Sequence, residues 1–125
     1  MSSTKKPKPL NINLDQRLRM LSIEFDDGKN FNLSCEFLRV NSPSAEVQGH
    51  GPGEGTLQIG KEEVNIDAIE PVGQYAIALR FDDGHDSGIY SWETLYRMGE
   101  NQDILWNDYL ARLKDAGIER KEVIN

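Results

Sequence analysis

The chain of 125 residues and 14.2 kDa, 38% hydrophobic and 28% charged, carries enough apolar surface for one core of ordinary domain size and too little length for a two-domain enzyme. It lacks the roughly 20 consecutive apolar residues that a membrane span needs. Fourteen Lys and Arg against 21 Asp and Glu give a net charge of -7, a surface that repels the phosphate backbone and excludes generic nucleic-acid binding.

Residues 1–13 are rich in Ser, Lys and Pro and are expected to form a disordered arm ahead of a single domain over 14–118, with 119–125 as a frayed tail. Lys5, Lys6 and Lys8 make that arm a solubilising tail, or one that steers toward an acidic partner. The N-terminus has no apolar segment behind its positive charge, and the single cysteine, Cys35, has no internal partner. Both features predict a reducing, cytoplasmic setting.

Leu21-Ser22-Ile23-Glu24-Phe25 alternates apolar and polar residues, the period of a half-buried strand. Asp26-Asp27-Gly28-Lys29 then supplies the residues of a tight turn, so the chain is expected to return through Phe31 and Leu33 as a β-hairpin. Ser34 is placed to cap a short helical turn carrying Phe37 and Leu38, and Ser42-Pro43 reads as an N-cap with proline in the first helical position. A strand over Val64–Ile69 is turned by Pro71-Val72-Gly73-Gln74 into a second alternating run, Tyr75 to Phe81. Asp82-Asp83-Gly84-His85 repeats the turn chemistry before Gly88-Ile89-Tyr90, which predicts a second hairpin.

Ser91 should cap a helix bearing Trp92, Leu95 and Tyr96 that ends near Gly99. From Gln102 to Ala116 a stripe of Leu105, Trp106, Tyr109, Leu110 and Leu113 predicts the last helix, closed at Gly117 and lying across the sheet. The expected fold is therefore α+β: an antiparallel sheet from two hairpins, short helices, and a C-terminal helix packed against it. Phe25, Tyr75, Leu79, Trp92 and Trp106 are the expected core.

Four glycines crowd Gly49 to Gly55, and Gly55 to Lys61 satisfies the first seven positions of a P-loop. Glu62 then stands where a magnesium-binding hydroxyl belongs, and the next residues alternate as a strand instead of opening a helix. A nucleotide site is not expected. The imidazole and thiol ligands number three, Cys35, His50 and His85, with no close pair among them, so neither zinc nor an iron–sulfur cluster is expected on this chain alone. Asp82, Asp83, His85 and Asp86 share one turn, which reads either as turn chemistry or as carboxylates raising an imidazole pKa for base catalysis or pH sensing. Cys35 beside Phe37 reads as a buried small hydrophobe.

Three blocks occur in order: Phe37-Leu38-Arg39-Val40-Asn41-Ser42-Pro43-Ser44-Ala45-Glu46-Val47, Ile69-Glu70-Pro71-Val72-Gly73-Gln74-Tyr75-Ala76-Ile77, and Asp82-Asp83-Gly84-His85-Asp86-Ser87-Gly88-Ile89-Tyr90-Ser91-Trp92-Glu93-Thr94-Leu95. Together they resemble the N-terminal domain of gamma-butyrobetaine hydroxylase and its small stand-alone bacterial relatives of unknown function, over about Leu18 to Leu113. In the hydroxylases that domain is similar to a zinc-binding accessory unit, with three cysteines after the Leu-Arg pair and a histidine from the Asp-Gly-His turn. The cysteine positions fall here on Ser42, Ser44 and Val47, and His85 alone matches. The resemblance thus implies the fold without its zinc, and the hydroxylases' His-x-Asp iron site and 2-oxoglutarate pocket have no counterpart in the sequence.

A similar domain accompanies some Mrp-type P-loop ATPases of iron–sulfur cluster delivery. The resemblance therefore implies a non-enzymatic accessory or binding domain, without a cofactor, that serves an iron or iron–sulfur protein partner. Its expected surface comprises Arg39, Asn41, Ser42 and Pro43 beside the turn of Asp83 and His85, the polar blocks that carry the resemblance. Two other readings stay open: a small enzyme or pH-responsive site using His85 and Asp83, and a hydrogen-bonded clasp in which Arg39 and His85 only join two loops.

Overall fold

The computed structural model describes residues 6–49 and 55–121. His50 and residues 51–54 of the glycine-rich stretch lie outside them. Among the described residues there are six strands and four helices: β1 (Pro9–Asp15), β2 (Met20–Phe25), β3 (Asn30–Ser34), α1 (Cys35–Val40), α2 (Ala45–Gln48), β4 (Ile66–Val72), β5 (Ala76–Phe81), β6 (Gly88–Ser91), α3 (Trp92–Glu100) and α4 (Gln102–Asp115). The strands form two antiparallel sheets, β1-β2-β3 and β4-β5-β6. The α+β class and both hairpins stand, with the hairpins parted between sheets and each extended by a further strand.

The period-two pattern explains the burial. Leu21, Ile23 and Phe25 of β2 point into the core, and Ile77, Leu79 and Phe81 of β5 do the same from the other sheet. Both turns use a positive-φ glycine after two aspartates, Gly28 (φ 89°) and Gly84 (φ 92°). Leu33, Phe37, Leu38, Ile66, Tyr90 and Leu95 complete one core shared by the two sheets, α1 and α3. Ser34 caps α1 by accepting from Phe37 N at 3.0 Å, and Ser91 caps α3 by accepting from Thr94 N at 3.0 Å.

Several expectations need correcting. Residues 9–13 are not arm but strand: Leu10-Asn11-Ile12-Asn13-Leu14 alternates, and Ile12 pairs with Ile23 while Leu14 pairs with Leu21. At the other end, Arg120 and Lys121 are tied by ion pairs to Glu36 and Glu63, so the chain is held beyond 118. The second helix is capped by Ser44, which accepts from Glu46 N at 3.2 Å, so Pro43 precedes the cap and does not open the helix.

Tyr75 is 61% exposed, because it precedes β5 and its ring falls outside the core. The last helix packs through Leu105 and Trp106 against the core that the sheets share, and its later turns carry a second, smaller cluster. Tyr109 and Leu113 pack with Val40 at the end of α1, and Leu57, Trp106 and Ile118 flank them. Tyr109 also donates to Gln58 O at 2.8 Å. Gly117 (φ 72°) ends this helix as predicted, with Gly117 N bonded to Lys114 O and Ile118 N to Leu113 O. Among the described residues no helix is long and apolar enough to cross a membrane.

Candidate functional site

Two of the three sequence blocks, the first and the third, meet at one corner, where the α1–α2 connection reaches the turn between β5 and β6, while the second block turns from β4 into β5 at the other end of its sheet. Short hydrogen bonds shape each side locally. On the helical side, Asn41 ends α1 by donating from Nδ2 to Phe37 O at 3.0 Å, and Gln48 Nε2 donates back to Ser42 O at 2.9 Å. On the turn side, Phe81 N donates to His85 O at 2.9 Å and His85 N to Asp83 Oδ1 at 3.1 Å. Asp82 takes another task, accepting from Asn65 N at 3.1 Å beside β4.

Two links join the sides. Asp83 Oδ2 accepts from Arg39 Nε at 2.8 Å and from Lys61 Nζ at 2.6 Å. Ser42 Oγ lies 2.9 Å from His85 Nε2 and also accepts from Ser44 N at 3.2 Å. A third strand of contacts runs beside them, in which Ser44 Oγ meets Ser87 Oγ at 2.7 Å and Ser87 Oγ donates to Glu46 Oε1 at 2.6 Å. Beneath, Tyr90 OH donates to Leu38 O at 2.6 Å and anchors β6 to α1. Relative exposure is 7% for Arg39, 0% for Ser42 and 6% for His85, so the linking groups lie inside the corner. Arg39 Nη1 is buried with no protein acceptor.

This geometry sets the charges. Partial burial works against an ionised Asp83, but the Lys61 hydrogen bond, the His85 backbone N–H and Arg39 outweigh it and hold the carboxyl at about 2. Burial, aided by the positive charge of Arg39, moves His85 below its ordinary value, against the pull of Glu46, Asp83 and Asp86. The direction is opposite to the raised imidazole pKa of the base or pH-sensor reading. Cys35 is buried, and that burial pushes its thiol up to about 11, as suits an inert core residue.

Ser42, His85 and Glu46 follow the order of a Ser-His-carboxylate triad, yet the arrangement is not one. His85 Nδ1 is 3.9 Å from Glu46 Oε2, beyond hydrogen-bond reach, and Ser42 has no exposed surface from which to attack a substrate. A Cβ on Gly88 would stand 2.6 Å from Ser42 Oγ, so a side chain at position 88 would crowd that hydroxyl. Asp83 bonds the backbone of His85 and leaves its ring alone.

The zinc of the resembling hydroxylase domains finds no matching donor set either. Ser42 and Ser44 supply neutral hydroxyls, Val47 supplies nothing, and His85 Nε2 is engaged by Ser42. Among the described residues no cluster of three or more His, Cys, Asp or Glu is arranged to hold a metal ion.

All six expected surface residues are in this corner, in different roles. Arg39, Ser42 and His85 are buried linkers, Asn41 and Pro43 are half-buried, and Asp83 receives both cations. Lys61, Ser44, Glu46 and Ser87 escaped the sequence reading. In the sequence Lys61 stands as the lysine of an incomplete phosphate loop, and Ser44 at a position where the resembling hydroxylase domains have a cysteine. Their links through space, across 22 positions for Lys61 and 41 to 43 for the others, have no short-range signal.

Residues 12–96 match the family described as gamma-butyrobetaine hydroxylase-like, N-terminal. Two proteins whose structures were solved by NMR in solution are similar to the whole domain. One is 50% identical with a TM-score of 0.81, covering 100% of this chain and 93% of its own. The other is 45% identical with a TM-score of 0.79, covering 95% and 96%. A crystallised protein of unknown function of the DUF971 family, from Acidithiobacillus ferrooxidans ATCC 23270, is 37% identical with a TM-score of 0.60 over 73% of this chain and 91% of that one. No curated protein matches. With its 12–96 segment matched and its fold shared with these structures, the chain belongs to the gamma-butyrobetaine hydroxylase-like N-terminal domain family.

Proposed function

We propose that this domain is an accessory binding module without catalysis of its own, which recognises a basic face of a protein partner through the corner described above. The observation that supports this reading is the mutual satisfaction of Ser42 and His85, which leaves neither group directed at a substrate. What the corner offers to solvent is a rim of carboxylates: Glu46, whose side chain is 70% exposed, with the exposed Asp82 and Asp86. Arg39, Ser42 and His85 hold that rim in place, and Asn41 and Pro43 border it.

A fixed acidic rim on a chain of net charge -7 favours a basic partner surface and speeds encounter with it. The choice of partner rests on the resemblance to accessory domains of an iron-dependent hydroxylase and of cluster-delivery ATPases. It directs the search to an iron or iron–sulfur protein, served in the cytoplasm. With one cysteine the domain would supply recognition or placement and leave the cluster to its partner.

Affinity capture from the source cytosol tests this. The wild-type domain should recover an iron-handling protein, with capture lost in high salt and in the double variant Glu46→Lys, Asp86→Lys. Recovery that ignores both salt and charge reversal, or repeated recovery of unrelated proteins alone, would contradict the proposal.

A further inference from the structure

A second polar cluster lies at the opposite end of α1 and is independent of the corner just described. Once Gly117 has ended α4, the chain turns so that Arg120 reaches Glu36 in the first turn of α1. Nε of Arg120 donates to Glu36 Oε2 at 2.8 Å and Nη2 donates to Oε1, a two-pronged pairing. The guanidinium carbon stands 5.2 Å from the centroid of the Trp106 ring. Glu36 is only 6% exposed, so its charge needs a cation beside it.

Carboxylate and aromatic face together select arginine. The fork of a guanidinium matches both carboxylate oxygens, and its flat face stacks on an indole, which the compact ammonium of lysine cannot reproduce. Beyond that pairing the segment carrying the occupant is held only at its surface. Its neighbour Lys121 is fixed by exposed carboxylates, Nζ to Glu63 Oε2 at 2.9 Å and N to Glu62 Oε2 at 2.6 Å, and such surface pairs contribute little. Open space adjoins the seat: a cleft of about 200 Å³ runs beside Glu36, Trp106 and Arg120, bordered by Leu18, Arg19, Ser34, Glu62 and Val64.

We propose that Glu36 and Trp106 form an arginine-recognition pocket, filled in cis by Arg120, which an arginine side chain of a protein partner takes over in trans. Exchange replaces one bidentate pairing by the same pairing, so the buried carboxylate is paired both before and after. Arg120 borders the cleft without filling it, and a partner segment can occupy it, while Glu62 and Glu63 become available to that segment's other cations. Tethering gives Arg120 an effective concentration of the order of millimolar, so it acts as a competing plug.

The test uses the full chain and two capped tripeptides, Gly-Arg-Gly and Gly-Lys-Gly, with binding read from the NMR shift of the Trp106 indole N–H. Arg120→Ala should bind the arginine peptide at least tenfold more tightly than the wild type does and should prefer it to the lysine peptide. Adding Glu36→Gln to that variant should abolish the binding. Equal affinity for wild type and Arg120→Ala, no preference for arginine, or binding that survives Glu36→Gln would each overturn the proposal. If Arg120→Ala gives no folded spectrum, Arg120→Lys replaces it: the cation is kept, the fork is lost, and the arginine peptide must still bind more tightly than to the wild type for the proposal to stand.

Discussion

Phe25→Ala is expected to lower folding stability by about 3–5 kcal/mol, the largest single effect anticipated in this domain. Phe25 is fully buried at the end of β2, and its ring meets those of Tyr96 at 5.0 Å and Phe31 at 5.9 Å, both edge-on. Phe31 and Tyr96 meet each other at 5.6 Å, so three rings join the first hairpin to α3. The site has little freedom to collapse around a cavity. A Cβ on Gly99 would already stand 2.3 Å from the Phe31 ring, and Tyr96 is tethered by its hydroxyl to Asp27 Oδ2 at 2.6 Å. Against a total of about 5–15 kcal/mol for a typical domain, the loss should be plain in a urea midpoint. A change under about 1 kcal/mol would mean that α3 and the hairpin do not share this packing.

Asp83→Asn should come next, at about 2 kcal/mol near neutral pH. The carboxyl lies at about 2 in the folded chain and near 3.9 when unfolded, and a difference of that size corresponds to about 2–3 kcal/mol, reduced somewhat because the side chain is 21% exposed. The folded value is the lower one. The contribution is therefore fully present above about pH 4, where both states are ionised, and is lost as pH falls toward about 2. Denaturant midpoints of wild type and Asp83→Asn measured down that range should differ most at neutral pH and converge in acid. Equal stability at neutral pH would show that the Arg39–Asp83–Lys61 contacts do not hold the corner.

Much of the fold was legible because its signals are local. Two aspartates and a glycine between alternating runs specify both hairpins, and Ser34, Ser91 and Gly117 mark helix ends through hydrogen bonds reaching no farther than five residues. The misreadings arose where local signals compete. The alternation of Leu10, Ile12 and Leu14 was masked by the lysines and prolines before it, although pairing with β2 makes it a strand. Ser42 and Ser44 both carry cap chemistry, and Ser42 spends its hydroxyl on His85, leaving Ser44 to cap α2.

The site was legible as a set of residues and not as an arrangement. Sequence blocks brought Arg39, Ser42, Asp83 and His85 together, but whether a histidine among aspartates is charged depends on burial, which composition does not report. Here burial and Arg39 prevail over three carboxylates. Lys61 and Ser87 join through contacts spanning 22 and 43 positions, a separation at which only the folded chain decides who meets whom.

His85 provides the most direct test of the claim that the corner's buried groups are spent on one another while its rim does the recognising. An NMR pH titration of the assigned imidazole should place it below its ordinary value of 6.5, with Nε2 shielded by Ser42. Ser42→Ala should perturb that resonance directly. An imidazole that titrates above 6.5, as one governed by Glu46, Asp83 and Asp86 would, and that does not respond to Ser42→Ala, would contradict the account.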